Sequence, residues 1–153
     1  MGAFHHAHWD AAHAYCTFNG LILAAMTLRD QAPDLRVLIL DLDQHFGDGT
    51  QWLINRHGLD WIEHYSYGRS AARNPAEGHE WLTNFSFDLG HLLGARPDIV
   101  FYLAHMDSHK DDPQGGGLTS EQLLMRDCLV LGPAPKPGFL WRGRQVAVTS
   151  LLM

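Results

Sequence analysis

The segment at residues 41–48 carries the side chains best suited to chemistry. Three carboxylates and one imidazole fall within these eight residues: Asp41, Asp43, His45 and Asp48. In an extended chain alternate residues project to one side, so Asp41, Asp43 and His45 are predicted to share a face. Two ionised carboxylates so close together are costly near a core, and a divalent metal with oxygen and imidazole ligands would offset them. The alternative is a strand end with solvated acids.

Two further groups could take part in the same chemistry. His5 and His6 form a tandem pair near the start of the chain, and Asp107 follows an apolar run. Imidazole titrates near neutrality, as proton transfer to and from water requires. Taken alone, the histidine pair is typical of a solvated tail and Asp107 of a solvated strand end.

These residues follow segments that predict strands. The apolar run at 37–40 predicts a fully buried strand that leads directly into Asp41. A second buried strand is predicted at 99–104, just before Asp107, and a third at 146–151. In open α/β sheets, ligands bind at the carboxyl ends of the strands. The sequence therefore predicts that the two acidic segments meet at one edge of a sheet.

Helical signals alternate with the strand signals, which indicates an α/β fold with a parallel sheet flanked by helices. Asn19 is a predicted helix cap, and Thr119 with Gln122 forms a predicted capping box. The first helix is nearly all apolar and is predicted to be buried. Helices are predicted at 21–28, 50–57, 80–93 and 120–131, one more strand at 59–65, loops at 1–15 and 66–78, and a stiff linker at 133–137.

Composition limits the class of protein. The chain of 153 residues is predicted to form one domain, 1–153, and 46% hydrophobic with 18% charged residues is typical of a globular protein. A net charge of -6 argues against nucleic acid and anionic membranes as partners and favours a cationic substrate. Two distant cysteines, with no signal peptide or membrane span, predict reduced thiols and a cytoplasmic location.

Three motifs together resemble a known family. Asp-Leu-Asp-Gln-His-Phe-Gly-Asp-Gly-Thr at 41–50 resembles the metal-binding motif of the histone deacetylase and acetylpolyamine amidohydrolase superfamily. Residues 2–7 and 15–19 are similar to its tandem-histidine segment and the stretch that follows it, and 97–107 resembles the strand that delivers its third metal ligand. The order is that of the family, and the chain corresponds to the central portion of the family's catalytic domain.

The resemblance implies a partial arginase/deacetylase-like fold and a zinc-dependent amidohydrolase, with iron as the alternative metal. The substrate would be acetyl-lysine or an acetylated polyamine or small amine, and a homo-oligomer is allowed. The tandem histidines would act as the electrostatic and general acid/base pair, each oriented by an aspartate. The implied metal ligands are Asp43, His45 and Asp107, and the implied catalytic pairs are His5 with Asp41 and His6 with Asp48.

The resemblance also implies roles beside the metal. Tyr15 takes the position of an aromatic wall of the acyl channel, while Ala14 replaces a family glycine and could narrow that channel. Asp41, with nearby backbone carbonyls, is implied to serve a structural potassium ion.

This sequence departs from the family pattern at several positions. Phe46 replaces a second histidine, and His105-Met106-Asp107 replaces Gly-Ala-Asp, so that His105 and the nearby His109 could compete with or substitute for a ligand. In the family, the strand matching 146–151 leads to a loop with an oxyanion-stabilising tyrosine, whereas this sequence ends at Met153. Without that donor we expect a loss of several kcal/mol of transition-state stabilisation. The alternative function is therefore a catalytically impaired, deacetylase-like fragment that binds metal or acyl-amine without turnover.

A phosphohydrolase is the rival interpretation from another class. The apolar strand followed by Asp41-Leu42-Asp43 also resembles the nucleophile motif of haloacid-dehalogenase-like enzymes, in which Asp41 would attack phosphorus with magnesium bound. That interpretation gives no role to His5, His6 or His45.

Overall fold

The fold is built on one small parallel sheet. The computed structural model describes residues 4–132 and, as backbone only, three short strands at 140–141, 144–145 and 147–150. Four helices are described: α1 (Gly20–Gln31), α2 (Asp48–His57), α3 (Pro75–Gly94) and α4 (Ser120–Leu131). The strands are β1 (Val37–Asp41), β2 (Ile62–Ser66), β3 (Ile99–Leu103), β4 (Leu140–Trp141), β5 (Arg144–Gln145) and β6 (Ala147–Ser150), and a 3-10 turn spans Tyr67–Arg69.

The order of the strands confirms the predicted α/β class. Four parallel strands lie in the order β2-β1-β3-β6, while β4 and β5 form a separate antiparallel pair. In the register of the two central strands, Asp41 at the end of β1 lies opposite Leu103 at the end of β3. The segments that follow β1 and β3 therefore leave the sheet at the same level.

Alternate residues of the central strands fill two separate cores. Leu38 and Leu40 of β1 point to one face, where they pack with residues of α3 and α4 such as Phe85. Val37 and Ile39 point to the other face and pack with residues of α1 and α2. Burial on both faces explains why β1 is a continuous apolar run, and it keeps both site-bearing strands in the middle of the molecule.

Local signals account for several helix ends. The side-chain oxygen of Asn19 accepts a hydrogen bond from the Ile22 amide at 3.1 Å, which caps α1 as predicted. The predicted capping box of α4 is also confirmed, with Thr119 and Gln122 bonded reciprocally. Gly58 ends α2 in the left-handed conformation that favours glycine.

Two local predictions were wrong. The predicted buried helix is α1, but only one of its faces is buried: Leu23 and Met26 are exposed. The segment at 66–78 is not a continuous loop, because the 3-10 turn forms there and α3 already begins at Pro75, capped by Asn74. The predicted linker at 133–137 lies outside the described residues, and the single domain over 1–153 stays a prediction.

Among the residues that the structure describes, none of the helices combines the length and the apolar character that a membrane span requires.

Candidate metal and catalytic site

The candidate site lies at the carboxyl ends of β1 and β3. The chain runs from β1 to β2 on one side of β1, and later places β3 on its other side. Such a change of direction opens a crevice beyond the strand ends, where ligands of α/β proteins bind. The Leu42 amide donates to the Leu103 carbonyl at 3.0 Å, so the two segments stay together beyond the ladder. This places the loops after β1 and β3 side by side.

Asp43, His45 and Asp107 converge in that crevice. One ligand atom from each lies within 4.8 Å of the other two. His45 Nδ1 is 3.0 Å from Asp43 Oδ1 and 3.1 Å from Asp107 Oδ2. The Gln44 amide points at both oxygens of Asp107, at 3.2 and 3.3 Å, and ties the second loop to the first. The fold therefore brings Asp107, which follows His45 by 62 residues in sequence, to the other two predicted ligands.

Their electrostatics fit a cation. Burial and the nearby charge of Asp43 raise the pKa of Asp107 to about 6. Burial alone would also raise the pKa of Asp43, but hydrogen bonding to His105 and the charge of His5 hold that pKa well below its ordinary value. One carboxylate is thus ionised beside another that resists ionisation. Two carboxylates and an imidazole form a donor set that suits zinc or iron.

His5 and Asp41 form a fully buried pair beneath this group. His5 Nδ1 lies 2.7 Å from Asp41 Oδ2, and His5 Nε2 lies 3.6 Å from Asp43 Oδ2. Both carboxylates therefore face one imidazole, as the alternation of the sequence predicts. Burial acts to lower the pKa of His5, but the hydrogen bond and charge of Asp41 outweigh it and raise that pKa. The same bond helps to lower the pKa of Asp41 against its own burial.

His6 and Asp48 form a second pair nearer the surface. His6 Nδ1 lies 2.5 Å from Asp48 Oδ1, and the His5 and His6 ring centroids are 4.1 Å apart. His8 Nε2 reaches the other oxygen of Asp48 at 3.0 Å. Although partial burial would raise it, bonding to these two histidines lowers the pKa of Asp48 to about 2. His8 has no sequence signal of this role, since its spacing from His6 does not indicate a shared carboxylate.

The start of α2 holds the histidine segment in place. The Thr50 amide donates to the His5 carbonyl at 2.9 Å. A Cβ atom on Gly49 would lie only 2.5 Å from the Ala7 carbonyl oxygen. A glycine is therefore required here for the close approach that places His5 and His6 above the strand ends.

His105 is a further residue at the site. Its Nδ1 lies 3.0 Å from Asp43 Oδ2, and its ring stacks on that of His5 at a centroid distance of 6.2 Å. Its φ of +31° lies in the left-handed region, which costs about 1 kcal/mol for a residue with a Cβ atom. The fully buried Arg126 of α4 donates to the His105 carbonyl at 2.9 Å and to Ser108 Oγ at 3.2 Å. His105 can be identified from the sequence but Arg126 cannot, since nothing in the sequence links α4 to this loop.

Tyr15 lies on a turn beside the histidine segment. His13 and Cys16 bridge this turn, and Ala14 and Tyr15 at its tip have φ of +44° and +67°. The side chain of Tyr15 is 94% exposed. Ala14, at the position of the family glycine, thus adopts the conformation that a glycine would take at lower cost.

Comparisons with known proteins give one consistent relation. The family described as the histone deacetylase domain matches residues 1–71, which include both histidine–aspartate pairs, Asp43 and His45, but not Asp107. Histone deacetylase 5 of Arabidopsis thaliana is 30% identical over 146 residues, covering 73% of this chain and 22% of that protein. Acetylpolyamine amidohydrolase 1 of Pseudomonas aeruginosa is 30% identical over 135 residues, covering 71% of this chain and 38% of that protein.

A third relative agrees with these two. The acetoin utilization protein AcuC of Staphylococcus aureus (strain COL) is 43% identical over 139 residues, covering 73% of this chain and 35% of that protein. Across these three matches the chain spans between about a fifth and two fifths of the relative's length.

Proposed function

Because the chain belongs to the histone deacetylase superfamily, we propose that it carries the metal centre of a zinc-dependent amidohydrolase, with iron as the alternative metal. The substrate would be acetyl-lysine or an acetylated polyamine or small amine, and the products acetate and a free amine. The convergence of Asp43, His45 and Asp107 within 4.8 Å is the observation that supports this most directly. The net charge of -6 agrees with a cationic substrate.

The two histidine–aspartate pairs would have separate roles in hydrolysis. A bound zinc ion would supply Lewis acidity, lowering the pKa of a water molecule and polarising the acetyl carbonyl. His6 uses Nδ1 to contact Asp48, which leaves Nε2 to accept a proton from the attacking water and return it to the leaving amine. His5, held by Asp41 and buried, would supply positive charge beside the reacting atoms.

Two supporting roles follow from the same proposal. Tyr15, exposed beside the histidine segment, would border the entrance of the acyl channel. Asp41 and neighbouring backbone carbonyls would serve a structural potassium ion. This proposal is supported by the complete burial of the Asp41 carboxylate. A cytoplasmic location, a homo-oligomer and the exclusion of nucleic acid and membrane partners stay predictions from the sequence.

A metal- or acyl-amine-binding module without turnover is the second candidate. The tyrosines of the described residues favour it, because Tyr65, Tyr67 and Tyr102 pack in the core on the face of the sheet covered by α3 and α4, and Tyr15 is on the exposed turn. Tyr65 accepts from Trp81, Tyr67 accepts from the Ala72 amide, and Tyr102 donates to Asp127. A deacetylase needs a donor for its oxyanion, whereas these three hydroxyl groups are engaged in contacts of the buried core.

A zinc titration combined with an assay of a fluorogenic acetyl-lysine peptide and an acetylpolyamine separates the candidates. For a deacetylase, we expect zinc binding and turnover in the wild type, no zinc binding in Asp43→Ala, and turnover reduced by at least 10²-fold in His6→Ala. Asp88→Ala and His91→Ala, both on the exposed face of α3, are matched controls that should change neither property.

Each other outcome has a definite meaning. Zinc binding without turnover, unaffected by His6→Ala, would support the binding module. Turnover that survives Asp43→Ala would rule out the metal mechanism.

A further inference from the structure

The two oxygens of the Asp43 carboxylate have different neighbours. Oδ1 accepts from the His45 amide at 2.7 Å and faces His45 Nδ1 at 3.0 Å. Oδ2 faces His105 Nδ1 at 3.0 Å and lies 3.6 Å from His5 Nε2. The carboxylate is therefore contacted from both sides, by the candidate ligand His45 at Oδ1 and by His105 at Oδ2.

Contacts other than the one with Asp43 also hold His105 in position. Its backbone carbonyl accepts from Arg126 Nη1 at 2.9 Å, and its ring lies parallel to that of His5, at 7°. Its side chain is only 12% exposed. The residue keeps this position although its φ of +31° favours glycine. A position that would be relaxed with glycine thus carries a ring that contacts a candidate ligand.

From this arrangement we propose that His105 is a positioning residue of the metal centre: its Nδ1–H bond to Asp43 Oδ2 orients the carboxylate so that Oδ1 is presented to the metal. The inference depends on the proposed metal site and adds to it a residue outside the ligand set. Partners of this kind that orient ligands contribute 10- to 100-fold to metal affinity.

The glycine-favouring backbone makes a sharp test available. His105→Gly removes the ring but relaxes the backbone, so the metal-free variant should still fold and melt cooperatively while its zinc dissociation constant rises 10- to 100-fold. His105→Asn should restore the affinity to within about threefold, because its amide nitrogen stands near the place of Nδ1 and asparagine tolerates positive φ. His105→Gln, whose amide lies one carbon further out, should not.

Zinc affinity is measured by competition with a chelating dye, and melting is measured separately on the metal-free protein. His109→Asn is the matched control on the same loop, since His109 contacts Ser120 rather than a candidate ligand. Unchanged or tighter zinc binding in His105→Gly overturns the positioning role and leaves the metal site standing. If the wild type itself binds no zinc, or binds it equally well after Asp43→Asn, the proposed metal site fails and the role of His105 fails with it.

Discussion

At the scale of single residues, the site is a group of acids and imidazoles whose protonation states depend on one another. His105 and His5 both lie against Asp43, and Asp107 lies on its other side through His45. Burial acts to lower the pKa of His105, but the bond and charge of Asp43 raise it. Asp107 is affected in the same direction, since burial and Asp43 raise its pKa. In the absence of metal, the folded site therefore retains protons that the unfolded chain would lose.

This retention predicts how the stability of the metal-free protein depends on pH. The pKa values of His5 and His105 are raised in the fold, so their contribution is complete below about pH 6.5 and is lost as pH rises through the folded pKa. The pKa of Asp107 is raised to about 6, so the stability that its retained proton contributes is already lost above that pH. The free energy of unfolding should therefore fall as the pH is raised above about 6.5, as measured by urea titrations at a series of pH values. Asp43→Asn should flatten this slope, and stability that rises over the range would contradict the assignment.

Single residues also show the limits of sequence reasoning. The convergence of Asp43, His45 and Asp107 could be predicted because motif, strand and spacing agree. His8 and Arg126 could not, because their contacts with Asp48 and His105 depend on how distant segments pack. Arg126 lies within α4, where a cationic residue ordinarily indicates a solvated face, yet it is completely buried.

At the scale of elements, the strands were easier to predict than the helix faces. An apolar run specifies a strand buried on both sides, as in β1 and β3. The apolar residues of α1 do not specify which side packs, and only Leu21, Ile22 and Ala25 are buried. The start of α3 did carry a signal, since Asn74 caps the helix and Pro75 follows at its first position. The segment at 66–78 is polar, however, and its composition favours a loop over the first turn of a helix.

A pair of glycine-to-alanine changes tests how closely α2 approaches the histidine segment. Gly49→Ala would place a methyl group 2.5 Å from the Ala7 carbonyl oxygen, so we expect it to lower the free energy of unfolding by about 1–3 kcal/mol and to weaken zinc binding. Gly90→Ala in α3 meets nothing within 4 Å and should instead add about 0.5–1 kcal/mol. Chemical denaturation of both variants measures the difference. Equal changes in the free energy of unfolding would show that α2 does not pack tightly against the histidine segment.

At the scale of the whole molecule, a three-layer arrangement places the site between two independent cores. The face packed by α1 and α2 supports the histidine segment, while the face packed by α3 and α4 supports the loop that carries Asp107. The α/β class and the meeting of the two strand ends followed from the alternation of elements. The distances at the site did not, because they depend on both faces at once.

The buried guanidinium of Arg126 has a consequence for local opening. It joins α4 to the loop at 105–108, and the same loop is held by the bond from the Leu118 amide to the Ser108 carbonyl. The loop and the helix should therefore behave as one cooperative unit, with the Leu118 amide exchanging its hydrogen at the same free energy as amides within α4. In Arg126→Met the loop should exchange faster than the helix, because the loop that carries Asp107 could then open while α4 stays folded. Equal acceleration of both would show that the guanidinium does not couple them.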